Sequence, residues 1–513
     1  MKIMAFNGSP RKEKWNTVTL LENALQGARS TVAVLLFLLL FAAAAFGGAN
    51  ERAKYVFLFI GDGMGEAQVA AAELYSLASG NGPLALRGLA VRGKISTRSA
   101  NAAVTDSAAA GTALATGFKT NNGVLGMDPS GAKKLPTVAE VARDRGMKVG
   151  VVTSVFLNDA TPAAFYAARP SRTDFYEIGV QMVESDFDYF AGGGVNRRAG
   201  RKGDLKDVYD LAREKGYRVL RTRAELAAAR PGTKIIAAAS VGGALPYETD
   251  RPAGSPSLAE FTKRGIELLD NPNGFFLMVE GGRIDWACHR NDATAAIRDV
   301  LAFDAAVKEA LAFARARPND TLIVVLADHE TGGIRVEAER AAANLFPALS
   351  AQRESSESFD EKLERFRKGT ARTFERMAPL LAESFGLHAL SPAERAALEA
   401  RAKKGDGAAR TALLLALSEG EQDELRTAFA QSMRAKEQRK KDRDYLRRYG
   451  PYEPLSVTAT RILNRKAGVE WSSFAHTGAD VPVFAQGAGA ARFAGEYDNT
   501  NVAEKILSVL GKR

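Results

Sequence analysis

Four apolar, β-branched runs in this chain stop abruptly at glycine or polar residues, and helix-patterned segments separate them. Residues 55–60 lead into Gly61-Asp62-Gly63, and residues 148–155 into Phe156-Leu157-Asn158-Asp159. Residues 275–279 lead into Glu280, and residues 322–326 into Ala327-Asp328-His329. Runs of this length without alternation read as strands covered on both faces. Residues 137–145, 204–215 and 294–314 carry helical patterns. Strands alternating with helices predict an α/β fold, a three-layer sandwich around a large, mostly parallel sheet. Such folds place ligands just beyond the carboxyl ends of strands. Asp62, Asp159, Glu280, Asp328 and His329 all fall there.

The pattern changes after about residue 340. From 341 to 452 the chain is rich in Ala, Leu, Glu, Lys and Arg, with almost no strand signal. Ser391-Pro392-Ala393-Glu394 and Ser418-Glu419-Gly420-Glu421 are capping boxes. These features predict an α-helical insertion dividing a catalytic domain into residues 51–340 and 453–513. The insertion is expected to form a lid or interface over the site, or else a plain surface excursion. His388 lies within it without an evident partner and is expected to be structural or exposed.

The formal net charge is +10, and part of the excess sits in the basic run 434–448. That run reads as a solvated helix face. No zinc-finger spacing or aromatic RNA-binding motif accompanies it, so no nucleic-acid partner is expected. Cys288 is the only cysteine, which excludes an intrachain disulfide.

Residues 32–46 are uninterruptedly apolar, follow Arg29 and lead into Gly47-Gly48-Ala49. Residues 30–50 therefore read as a signal peptide-like segment. The run is short for a membrane span, which needs about 20 residues. An exported protein, periplasmic or extracellular, without a stable span after cleavage is expected. Residues 1–29 resemble the first strand and phosphate loop of flavodoxin-like FMN reductases through Gly8-Ser9-Pro10-Arg11 and Asn16-Thr17. Too little chain follows for that fold, so this segment reads as a stray extension that binds no flavin.

Three of the four histidines stand in metal-site contexts. Asp285 and His289 are four apart and share one face of a helix. Asp328 and His329 are adjacent, and can meet one cation only where a strand turns into a loop, which Gly332-Gly333 permit. His476 is followed by Thr477-Gly478. Nitrogen with carboxylate suits zinc; Thr161 and Glu280 offer oxygen alone, which suits magnesium. Ser107 opens an Ala-rich, helix-forming stretch. A serine hydroxyl needs activation to act as a nucleophile; taken alone, Asp106-Ser107-Ala108 reads rather as a plain helix N-cap.

Together these segments carry a resemblance. Gly61-Asp62-Gly63-Met64-Gly65, Thr105 to Thr112 around Ser107, Asp159-Ala160-Thr161-Pro162, Glu280 with Asp285 and His289, Asp328-His329-Glu330-Thr331-Gly332-Gly333 and His476-Thr477-Gly478 resemble the alkaline phosphatase family in order and spacing. The resemblance runs from about residue 55 to the end, outside the insertion. It implies a first zinc on Asp285, His289 and His476. A second zinc falls to Asp62, Asp328 and His329, next to Ser107. One magnesium falls to Asp62, Thr161 and Glu280, with Asp159 in its outer shell. Arg172 falls where the family's phosphate-clamping arginine lies, with Asp106 orienting it. Trp286 follows the first-zinc aspartate, where some bacterial members have lysine. The implied reaction is hydrolysis of small phosphate monoesters through a phosphoserine on Ser107, by a homodimer. A phosphodiesterase of the same superfamily and a non-catalytic metal- or phosphate-binding protein are the rival readings.

Overall fold

The computed structural model describes residues 52–240 and 243–510. The stray extension and the signal-like segment lie outside them. Among the described residues the strands are β1 (Tyr55–Ile60), β2 (Val91–Ser96), β3 (Lys148–Thr153), β4 (Tyr189–Gly192), β5 (Arg218–Leu220), β6 (Ile235–Ala238), β7 (Phe275–Glu280), β8 (Thr321–Leu326), β9 (Glu330–Thr331), β10 (Ile334–Val336), β11 (Val469–Trp471), β12 (His476–Thr477), β13 (Val481–Gly487) and β14 (Gly495–Asp498).

Ten of them form one sheet in the order β14-β2-β13-β8-β1-β7-β3-β4-β6-β5. Only β13 runs against the others. The fold is the expected three-layer α/β sandwich. β1, β7 and β8, at its centre, are buried along their whole length. Side chains alternate between faces along a strand, so Tyr55, Phe57 and Phe59 share one side of β1. There Phe59 meets Phe303, while Tyr55 and Phe57 meet Phe313. Both phenylalanines belong to helix Ala293–Ala316, which packs with helices Leu258–Leu269 and Glu66–Ala78 as one layer. Helices Ser107–Thr116, Val138–Asp144, Ala160–Ala163 and Thr500–Val509 form the other.

The register sets the position of the site. Ile60 at the end of β1 is level with Leu326 of β8 and Glu280 of β7. Glu280 is in turn level with Thr153 of β3. Four strand ends therefore open onto one ledge.

Between β10 and helix Pro454–Ala467 the chain is helical, from Ala338–Leu349 to Arg443–Tyr449. Both expected capping boxes form. The segment has its own apolar centre, where Phe359 meets Phe385 and both Phe366 and Phe374 meet Phe429. β10 and β11 pair antiparallel with Val336 opposite Val469, and so close the base of the excursion. His388 sits here half-buried, its Nδ1 2.8 Å from the Gly386 carbonyl, outside both histidine clusters described next.

Candidate active site

Asp62 lies just past β1, inside the turn made by Gly63. Gly63 has φ 69°, and a Cβ there would lie 2.9 Å from both Asp285 Oδ1 and Thr331 Oγ1. Only glycine suits that backbone and that space. Asp328 and His329 lie just past β8, and the Gly63 N–H donates to Asp328 Oδ1 at 3.2 Å.

Helix Ser107–Thr116 begins beside them. Its N-cap is Asp106, whose Oδ1 accepts from Ala109 N at 2.9 Å. The N-cap reading of Ser107 is thus corrected: Asp106 satisfies the free N–H group, and Ser107 is the first helical residue. Its Oγ is left to face His329 Nε2 at 3.2 Å.

Two groups of side chains that could hold a metal ion converge on this point, one of Asp285, His289 and His476, the other of Asp62, Asp328 and His329. In the first, His289 Nε2 is 3.3 Å from Asp285 Oδ2 and 3.1 Å from His476 Nε2. In the second, His329 Nε2 is 3.4 Å from Asp62 Oδ1 and 3.3 Å from Asp328 Oδ2. The backbone fixes two of the rings. His289 Nδ1 is 2.7 Å from the Phe474 carbonyl and His476 Nδ1 is 2.9 Å from the Thr105 carbonyl. A carbonyl can only accept, so Nδ1 carries the proton and the Nε2 lone pair points into the group.

The electrostatics call for cations. Asp62, Glu280 and Asp328 are buried, and Asp62 Oδ1, Glu280 Oε1 and Asp328 Oδ2 have no hydrogen-bond partner. Burial and then Asp328 push Asp62 well above the usual carboxylate range. Burial raises Glu280 also, against the Thr153 hydroxyl that donates to it. Burial and Asp285 lift Asp328 to about 7. Asp285 is the exception: burial would raise it, but His289, His476 and His329 together hold it well below the usual range. Buried, mutually repelling carboxylates are costly unless a metal compensates them. The mixed nitrogen and oxygen donors of both groups fit zinc. Asp62 also turns its other oxygen, Oδ2, to Thr161 Oγ1 at 3.3 Å. With Glu280 that makes an all-oxygen set, fitting magnesium.

Arg172 stands opposite, its Nη1 3.1 Å from Asp106 Oδ2 and its Nη2 3.4 Å from Asp159 Oδ1. Asp159 also caps the short helix through Ala160 N. Ser107, Arg172, Asp285, His289 and His476 line one cavity of about 400 Å³. Its outer wall is Trp286 with Tyr247, Arg290, Glu357 and Tyr452. All the expected site residues thus meet at one end of the sheet or its immediate support.

Several participants escaped the sequence reading. Thr153 was absorbed into a strand read as far as residue 155. Thr331 and Glu330 lie inside the segment Asp328 to Gly333, where no local pattern gives them a role. Thr331 Oγ1 donates to Asp285 Oδ1 at 2.5 Å, and Gln68 Nε2 donates to Glu330 Oε1 at 2.6 Å. Tyr247, Glu357 and Tyr452 carry no local signal.

A family profile for alkaline phosphatase matches residues 53–511. Alkaline phosphatase 4 of Bacillus subtilis is 32% identical over 415 residues, 79% of this chain and 77% of that one. The crystal structure of the Thermus thermophilus alkaline phosphatase superposes with a TM-score of 0.72 at 28% identity, covering 91% of this chain and 94% of that one. A TAB5 alkaline phosphatase mutant with magnesium bound in its M3 site superposes with a TM-score of 0.60 at 26% identity, covering 90% of this chain and 99% of that one. The chain belongs to the alkaline phosphatase family.

Proposed function

We propose that this family member hydrolyses phosphate monoesters through a phosphoserine on Ser107. The supporting observation is the position of Ser107 Oγ, at a helix N-terminus, 3.2 Å from His329 Nε2 and in one cavity with Arg172. Asp285, His289 and His476 would hold one zinc, Asp62, Asp328 and His329 a second, and Asp62, Thr161 and Glu280 a magnesium. When bound, these ions would acidify the attacking hydroxyl and water and neutralise charge on the phosphoryl oxygens and leaving group.

The remaining work falls to the chain itself. Arg172 grips two phosphoryl oxygens with its planar guanidinium, aimed by Asp106 and Asp159. The free N–H groups of helix Ser107–Thr116 favour an anion at the same point. Ser107 Oγ attacks phosphorus in line as the bond to the alcohol oxygen breaks. Water then attacks from the side the alcohol vacated, releasing phosphate and restoring the hydroxyl. Two inversions give net retention at phosphorus. Catalysis of this kind rests mainly on positioning and charge stabilisation.

Family resemblance further supports a homodimer. The signal-like residues 30–50 support export, and no helix among the described residues is long and apolar enough to cross a membrane.

The test is turnover of phenyl phosphate by zinc- and magnesium-loaded protein, with metal analysis, in wild type and Ser107→Ala. Loss of more than about a thousandfold in kcat, with metal content retained, is expected. Equal activity in the variant, or faster turnover of a phosphodiester than of the monoester, overturns the reading.

A further inference from the structure

The cavity does not end at the metal groups. Helix Arg283–His289 carries Asp285 and His289, presents Trp286 outward and is followed by Arg290. The outer part of the cavity therefore adjoins the group of Asp285, His289 and His476; Ser107 Oγ faces His329 of the other group, so in-line attack would expel the alcohol toward this one. Two of its walls come from near the two ends of the helical segment. Glu357 lies in the first turn of helix Ser356–Arg367, and Tyr452 lies just beyond helix Arg443–Tyr449. A second cavity, of about 350 Å³, is lined by the same Arg290, Glu357 and Tyr452 and continues among Arg367, Tyr445 and Glu453.

The two cavities share these walls, and the charged side chains of the second are balanced, five cationic against five acidic. Within the first cavity Glu357 is the most accessible charge: its side chain is 40% exposed, against 31% for Arg172 and 16% for Arg290. Both of its arginine contacts are loose, 3.4 Å to Arg283 Nη1 and 3.8 Å to Arg290 Nε. Both oxygens accept from Arg283 Nη1, at 3.5 and 3.4 Å, and each keeps a lone pair for a ligand. Along the walls, the Glu357 carboxylate accepts, the Arg290 guanidinium donates and the Tyr452 hydroxyl can do both. An apolar leaving group would leave these donors and acceptors unsatisfied. A cation would meet the arginines, and an anion the carboxylates. Hydroxyl groups both donate and accept, so a leaving group bearing several of them satisfies both kinds of wall.

We propose that the helical segment builds a leaving-group pocket for polyhydroxylated alcohols, with Glu357 and Tyr452 as specificity-determining residues. The preferred substrate is then a sugar-type phosphate monoester. The inference rests on the phosphomonoesterase reading above. A site built to hydrogen-bond hydroxyls discriminates strongly against analogues that lack them.

The experiment measures kcat and KM of the full, metal-loaded chain for glucose 6-phosphate and phenyl phosphate, in wild type, Glu357→Ala, Glu357→Gln and Tyr452→Leu. The ratio of kcat/KM, sugar over aryl, is expected to fall about tenfold in Glu357→Ala, through KM for the sugar ester. Tyr452→Leu is expected to lower it in the same direction. Glu357→Gln keeps an acceptor oxygen and is expected to recover most of the ratio. An unchanged ratio in Glu357→Ala and Tyr452→Leu overturns the inference. So does a Gln variant as damaged as Ala on both esters, which would mark Glu357 as a mere partner of Arg283. A wild type that turns over phenyl phosphate, with variants that show no such ratio change, sinks this inference alone. A chain that turns over neither ester sinks the phosphatase reading as well.

Discussion

His476 stands opposite Thr331 in the two-residue antiparallel ladder of β9 and β12. Thr331 is only two residues beyond His329, so the ladder brings the His476 and His329 rings to 3.6 Å between centroids. The long helical excursion between them leaves and returns through the separate β10–β11 pairing. The placement of His476 is therefore set by two short ladders at the base of the excursion.

Thr331 ties the two metal groups together. Its hydroxyl donates to Asp285 Oδ1 at 2.5 Å and lies 3.3 Å from His329 Nδ1. Outer partners of metal ligands typically contribute 10–100-fold in affinity. Thr331→Val keeps the shape and the ladder but removes both contacts. It is expected to weaken zinc retention by roughly tenfold, read by competition with a chelator, and to leave the fold unchanged by circular dichroism. Unaltered retention would show that the ladder alone positions Asp285.

Metal binding and stability are linked through Asp328. Its Oδ1 accepts from the N–H groups of Gly63 and His329, while Oδ2 has no partner. Chelation is expected to lower the melting temperature, since each ion bound at about a thousandfold excess over its Kd stabilises by about 4 kcal/mol. Asp328→Asn preserves both N–H contacts but removes a buried charge and a ligand. Its melting temperature is expected to lie below wild type with metal and above wild type without it. Calorimetry on both forms shows whether the two curves cross; parallel curves would mean that Asp328 is not a ligand.

The legible parts of this protein share a physical cause. β1, β3, β7 and β8 are buried on both faces, so their sequences are apolar without alternation and the chain marks them plainly. β2 escapes because its exposure alternates and it contains Gly93; β13 carries Pro482, which argues against a strand; β5 has only three residues. The candidate ligands at strand ends were legible because the chain must stop being apolar there. Ser107 was legible as a helix start, but which of Asp106 and Ser107 caps the helix is decided by side-chain geometry. Glu357 and Tyr452 were not legible, because their role comes from a tertiary approach to Trp286 and Arg290 that no local pattern encodes.

Arg172 tests the phosphate end. Asp106 and Asp159 hold its two terminal nitrogens at 3.1 and 3.4 Å, leaving the planar guanidinium edge for the ligand. Lysine keeps the charge but cannot form the paired contact. Arg172→Lys is expected to weaken inhibition by inorganic phosphate roughly tenfold and to lower kcat/KM on phenyl phosphate at least as much. An unchanged inhibition constant would remove Arg172 from the phosphate site.

Asp299 offers a pH test away from the metal groups. It is buried in helix Ala293–Ala316, accepts from Glu248 N at 3.2 Å, and faces Arg283, Glu248 and Asp250. Burial dominates and pushes its carboxyl well above the ordinary 3.8, despite Arg283. Between the ordinary and the raised value the folded state binds more protons than the unfolded one, so stability falls as pH rises. The contribution of the protonated carboxyl is complete below 3.8 and lost as pH passes the raised value. Asn imitates the protonated acid and can still accept from Glu248 N. In metal-free protein, Asp299→Asn is therefore expected to raise the denaturation midpoint at pH 8, with the gain fading toward about pH 4. A midpoint that drops equally at both ends of that range would mean that the ionised carboxylate, paired with Arg283, is the form the fold requires.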